Sequence, residues 1–140
     1  MHIRPATLND HAELCNVDSV VLRGEQGRRE DIATWLHDGA CQLAEMDGRI
    51  AAYGVLTNHF FGSPFIEILM VGSQFRRHGL GIGLISHLRA ICSGPKLFTS
   101  TNMSNVPMQA LLIKAGFKPS GYIDNLDEND PEIVFYSPVP

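Results

Sequence analysis

Cysteine is scarce in this chain. Cys15, Cys41 and Cys92 are odd in number, far apart and without C-x-x-C spacing, so neither a disulfide framework nor a zinc ribbon is expected. They read as buried, reduced thiols of a cytoplasmic protein. The six histidines show no ligand spacing with one another or with these cysteines, so no metal is expected. Long apolar runs are missing: none approaches the roughly 20 residues of a membrane-spanning helix. The opening residues lack the apolar core of a signal peptide, so no membrane partner is expected. Positive charge is also short, at 11 Lys and Arg against 15 Asp and Glu, net −4. A nucleic-acid partner needs a basic surface, so that class is set aside. There is no G-x-S-x-G elbow, no repeat and no low-complexity tract. What remains is an ordinary globular composition, 44% apolar and 19% charged, long enough for one core and read as one domain over 1–140.

The informative stretch is FIEILMVGSQFRRHGLGIGLISHL, Phe65 to Leu88. Phe65 to Val71 is apolar except for Glu67 and reads as a buried strand. Gly72 to Gln74 end it. Arg76, Arg77, His78, Gly79, Leu80, Gly81 and Gly83 follow, and then Leu84, Ile85, Leu88 and Ile91 recur at helical spacing. A strand, a basic glycine-rich turn and a helix make an anion site, because the first N–H groups of a helix lack internal partners and carry partial positive charge. Gly79 and Gly81 are expected to let the backbone come close to a ligand. The P-loop fails, since Ile82 follows Gly81 where Lys-Ser or Lys-Thr is needed. The dinucleotide fingerprint fails because the glycines are spaced two and two.

Taken in order, His2 to Arg4 reads as a first strand. A helix capped by Thr7 and a second over Arg29 to His37 follow, separated by a loop from Arg23 to Arg28. Cys41–Met46, Asp47-Gly48 and Arg49–Thr57 form a hairpin. Asn58 to Pro64 is a turn into the central strand. After the central helix, Ser93-Gly94-Pro95 breaks the chain and Lys96–Thr101 is a strand. A helix capped by Ser104 or Asn105 runs to Ala115, and Phe117–Ile123 and Ile133–Tyr136 are the last strands.

The Arg-x-x-Gly-x-Gly of Arg76, Gly79 and Gly81 after Leu69-Met70-Val71 resembles the acyl-CoA pyrophosphate loop of the GNAT superfamily of N-acetyltransferases. The stretch from Asn105 to Phe117, ending Lys-Ala-Gly-Phe, resembles that family's C-terminal motif at the expected spacing. The resemblance covers nearly the whole chain. It implies an α/β (α+β) GNAT fold, with a mixed, mostly antiparallel sheet of six to seven strands and about four helices. It also implies an acyl-CoA-dependent N-acyltransferase with acetyl-CoA as co-substrate. A small-molecule amine is the acceptor partner, and a homodimer is possible.

By that resemblance, the main chain of Leu69, Met70 and Val71 pairs with the pantetheine arm. The amides of Arg77, His78, Gly79, Leu80, Gly81 and Ile82 hold the pyrophosphate, with Arg76 and Arg77 as charged contacts. Asn105 either lies beside the cofactor arm or only caps a helix. Glu67, the one charge in its strand, is the candidate catalytic base; alternation would equally let it face solvent. Main-chain N–H groups near Met70 or Val71 serve the oxyanion. The family's tyrosine acid falls at Leu112, and the glutamate of some protein N-terminal acetyltransferases falls at Ser100. Leu112 keeps open a second reading, a catalytically silent CoA-binding sensor module, while Ser100 argues against a protein N-terminus as the acceptor. Tyr122 is a substitute acid with no spacing argument behind it. The acidic run from Asp124 to Glu132 is a solvated loop or an attractor for a cationic acceptor.

Overall fold

The computed structural model describes residues 1–140. Seven strands form one sheet in the order β1-β2-β3-β4-β5-β7-β6. They are β1 (His2–Pro5), β2 (Cys41–Met46), β3 (Arg49–Phe60), β4 (Ser63–Val71), β5 (Lys96–Asn102), β6 (Lys118–Ile123) and β7 (Glu132–Pro138). Every neighbouring pair is antiparallel except β4 and β5. Five helices accompany them: α1 (His11–Val17), α2 (Ser19–Leu22), α3 (Gln26–His37), α4 (Leu80–Ile91) and α5 (Val106–Lys114).

Strand alternation assigns the two faces of the sheet. Leu43, Tyr53 and Val55 point to one side and pack with Leu14 of α1 and Ile32 and Leu36 of α3. Their neighbours Ala44 and Ala52 point to the other side, against Leu80 and Leu84 of α4. Small residues there let α4 lie close to the sheet. Ile85 and Leu88 of the same helix continue onto Ile66, Leu97, Leu112 and Phe135. Fully burying such a leucine is worth about 1.5–3 kcal/mol, so α4 is anchored along its length.

The β2–β3 hairpin turns on Asp47 (φ 54°) and Gly48 (φ 76°), both left-handed as a type I′ turn demands. Three boundaries differ most from the sequence expectation. Asp18 interrupts the first helix with an extended backbone and caps a separate α2. The loop expected over residues 23–28 is shorter, because α3 already begins at Gln26. The β3–β4 turn contracts to Phe61 and Gly62, both with positive φ.

Candidate active site

β4 and β5 pair only at Phe65 with Phe98 and Ile66 with Thr99. Thr99 Oγ1 also donates to the Ile66 carbonyl at 3.0 Å. Beyond Ile66 the strands part. An aromatic row pins the closed end: Phe60 stacks on Phe65 at 4.9 Å and approaches Phe98 at 5.3 Å, and Phe98 lies 6.2 Å from Tyr136.

Past the fork, one edge of β4 has no strand partner. Gly72 N–H donates to the Ala51 carbonyl at 2.8 Å. By the alternation of an antiparallel ladder, Met70 then spends its main-chain groups on β3, while those of Leu69 and Val71 face the opening. Of the three residues named from sequence, two therefore have main-chain groups to offer a ligand. Met70 lines the wall beside them. Glu67 is the extra residue of a β-bulge, since Val55 pairs with Ile68 and Leu56 with Ile66. Bulges re-aim side chains. Glu67 is exposed, and its Oε1 accepts a hydrogen bond from Thr57 Oγ1 at 3.0 Å.

The opening leads into a cleft of about 600 Å³ that holds Leu69, Met70, Val71, Arg76, Arg77, Gly79, Leu80, Gly81, Ile82 and Asn105 in its walls. His78 is exposed and does not line it. At the turn, Arg77 (φ 67°) and Gly79 (φ 76°) are left-handed. Gly79 caps α4 without any side-chain hydrogen bond, so the first-turn amides remain available to an anion. The two glycines are required for different structural reasons. Gly79 has open space where a Cβ would be and is required by its φ, whereas a Cβ on Gly81 would come within 3.0 Å of Leu111 Cδ2 on α5. Gly81 thus serves the α4–α5 contact. Pro107, Met108, Leu111 and Lys114 of α5, with Ser19 and Phe75, complete the wall. The Lys-x-Gly-Phe signature was the available signal for Lys114, which adds a third cation beside Arg76 and Arg77.

A second cleft of about 360 Å³ meets the first along shared walls at Leu69, Met70, Asn105 and Met108. Its walls take Glu67, Ser100 and Glu132 from the sheet and Val20, Arg23 and Arg28 from α2, α3 and the segment between them. Leu112, 2% exposed, lies at its inner end. Tyr122 is 65% exposed on β6 and lines neither cleft. Asn105 caps α5, its Oδ1 accepting from Met108 N–H at 3.2 Å, and the residue also lines both clefts. Of the acidic run only Glu132 reaches the cleft, held by Ser100 Oγ at 2.7 Å. Asp127 accepts from Asn102 Nδ2, and Asp130 from Ser104 N–H and Oγ.

Sequence reading missed the group that braces this second cleft. Asp18 is fully buried and accepts four hydrogen bonds. Two come from the N–H groups of Val20 and Val21, one from Arg28 Nη1 at 3.0 Å and one from the Tyr53 hydroxyl. Burial, with Asp18 adding to it, pushes the Tyr53 phenol upward and keeps it protonated as a donor. Burial opposes the Arg28 charge, yet the pull of Asp18 leaves that guanidinium's pKa raised. An aspartate directly before Ser-Val-Val was the only sequence hint, as a helix cap. None of the cysteines lines either cleft. Burial raises the Cys15 thiol and pushes Cys41 up to about 12, which removes both as ready nucleophiles.

A model of the Acetyltransferase (GNAT) family matches residues 9–117. Among solved structures, an acetyltransferase of the GNAT family from Bacillus cereus is 31% identical, with TM-score 0.93 over 99% of this chain and 97% of its own. Ard1 from Thermoplasma volcanium shares 16% identity and the fold, with TM-score 0.83 over 99% and 97%. YncA of Salmonella typhimurium, solved with its cofactor acetyl-CoA, shares 15% identity and TM-score 0.78 over 100% and 94%. No curated protein sequence matches the chain.

Proposed function

Because the chain belongs to the Acetyltransferase (GNAT) family, we propose that it transfers an acyl group, acetyl first among them, from acyl-CoA to the primary amine of a small molecule. One observation carries this reading. The free edge of β4 connects a bulged carboxylate, Glu67, with a helix terminus that has no side-chain cap and is flanked by arginines. A pantetheine arm suits the edge, because its amides complete the hydrogen bonds that Leu69 and Val71 leave open. A diphosphate suits the amides of Leu80 to Ile82 with Arg76, Arg77 and Lys114 around them. The acetyl-CoA of the Salmonella relative is consistent with that donor.

The reaction is direct. The amine nitrogen attacks the thioester carbonyl carbon, the C–N bond forms, the C–S bond breaks, and an amide and the CoA thiolate leave, the thiolate then taking a proton from solvent. An amine of pKa about 10.4 is neutral in only about one molecule in 2,500 at pH 7, so a base is needed. Glu67 takes the proton, directly or through water, with Thr57 fixing its carboxylate. Main-chain N–H groups of the free edge stabilise the oxyanion. Leu112 supplies no acid, so the thiolate leaves unaided. With a thiol pKa of about 8.5 that costs about 2 kcal/mol at neutral pH, slowing turnover without forbidding it. We place all 140 residues in a single cytoplasmic, metal-free domain that can pair as a homodimer.

Leu112 favours a second reading, a CoA-holding sensor that does not turn over. A thiol-release assay with acetyl-CoA and an amine panel, run beside calorimetry with CoA, separates the two. Release that Glu67→Gln abolishes supports the enzyme. Binding without release on any amine supports the sensor, and no heat with any CoA species removes both.

A further inference from the structure

We infer that the acceptor carries a carboxylate as well as its amine, so that the acceptor cleft is built for a free amino acid. This rests on the acyltransferase reading of the same site and narrows its substrate class. The cleft, about 360 Å³, has carboxylates at Glu67 and Glu132 and guanidinium groups at Arg23 and Arg28. That volume is at the lower end for small-molecule sites and admits a ligand that meets both kinds of charge at once.

Arg28 is the stronger of the two cations. Its Nη1 is fixed at 3.0 Å from Asp18 Oδ2, its guanidinium lies 5.8 Å from the Trp35 ring centroid, and its side chain is only 16% exposed. A guanidinium has five N–H donors, and one goes to Asp18. The others belong to a residue that lines the cleft and is already held in place, so little entropy is lost when a carboxylate docks. Neutralising Asp18 does not by itself require Arg28 to reach the cleft. Arg23 is 65% exposed and joined to Glu25 at 2.7 Å. An exposed pair of that kind is weak, so Arg23 can exchange Glu25 for a ligand.

Competing acceptors fit less well. A plain alkylamine would set its carbon chain against two guanidinium groups and strip them of water without return. A polyamine would bring a second cation against them, a like-charge contact. An amino acid places ammonium at Glu67 and carboxylate at Arg28, with opposite charges at each end.

The test uses the intact protein and acetyl-CoA, with matched pairs of free amino acids and their α-amides as acceptors and thiol release as readout. At least one free acid is expected to show a KM about tenfold or more below its amide, the effect of a charge-assisted pair. Arg23→Gln and Arg28→Gln are each expected to cut that acid-over-amide preference about tenfold, with Arg28→Lys restoring part of it. Since Arg28→Gln also strips a partner from Asp18, Arg23→Gln keeps the test valid if the former fails to fold. Equal KM for acids and amides, a preference for amides or diamines, or a preference untouched by Arg23→Gln with Arg28→Lys overturns the inference while leaving the acyltransferase standing. Absence of thiol release with every amine overturns both.

Discussion

Asp18→Asn strikes the one buried carboxylate that joins three elements. The side chain is 0% exposed and accepts from Val20, Val21, Arg28 and Tyr53. Asparagine keeps the shape and one acceptor oxygen, so the α2 cap survives in part. Its NH2 then meets the Arg28 guanidinium, which retains its charge at 16% exposure. Removing one member of a buried pair typically costs 3–5 kcal/mol. Arg28 keeps some access to water, so about 2–4 kcal/mol is expected. For a chain of this size each kcal/mol lowers Tm by about 3–4 °C, giving a fall of about 6–16 °C. The functional signature is as specific. Val20, Arg23 and Arg28 line the smaller cleft, proposed for the acceptor, and not the larger one, so acceptor KM should rise several-fold while CoA affinity measured by calorimetry stays put. A double-mutant cycle with Arg28→Met isolates the pair, and the coupling should exceed about 1 kcal/mol. A loss of stability under 1 kcal/mol, or a change in CoA affinity matching the change in KM, would refute the reasoning.

Glu67→Gln should lower kcat by about 10²–10⁴, the usual worth of a general base, with CoA binding retained; a variant at full speed on the same amine sinks the assignment. Gly79→Ala forces a Cβ onto a φ of 76°, a strain of about 1–2 kcal/mol that should weaken CoA binding about tenfold in calorimetry. The double variant Asp127→Asn with Glu128→Gln should leave acceptor KM within a factor of two, since Asp127 is turned to Asn102 and only Glu132 of that run lines the cleft; a steep rise would restore the acidic loop as a substrate attractor. Hydrogen bonds from Arg4 and, against the cost of burial, from Thr7 hold Asp10 near 2 instead of 3.8. A lowered carboxylate stabilises the fold above its unfolded pKa. That contribution is therefore full above about pH 4 and fades as pH falls toward 2, and Asp10→Asn should flatten this limb of a urea-midpoint profile.

The strand, turn and helix from Phe65 to Leu88 were legible because their signals are consecutive: an apolar run, glycines, then helical spacing. Most residues singled out from that stretch line the larger cleft together, and all its other walls but Ser19 lie on the same stretch, at Asn105 or on the helix after it. Two things were not legible. The bulge at Glu67 depends on register with β3, and a one-residue slip leaves no mark in composition. The Asp18, Arg28 and Tyr53 cluster joins residues 10 and 35 positions apart, and no local pattern encodes such a meeting. Gly81 is a related case, because its need for a missing Cβ comes from Leu111 on another helix.

The fork between β4 and β5 has a mechanical meaning. Two residue pairs, the Thr99 hydroxyl and an aromatic clasp fasten these neighbouring strands at one end of their shared border. A ligand that fills the gap becomes the missing rib of the sheet and stiffens the halves against each other. Amide exchange at Leu69 and Val71 should therefore slow on donor binding far more than at Met70, whose bond to β3 is already made.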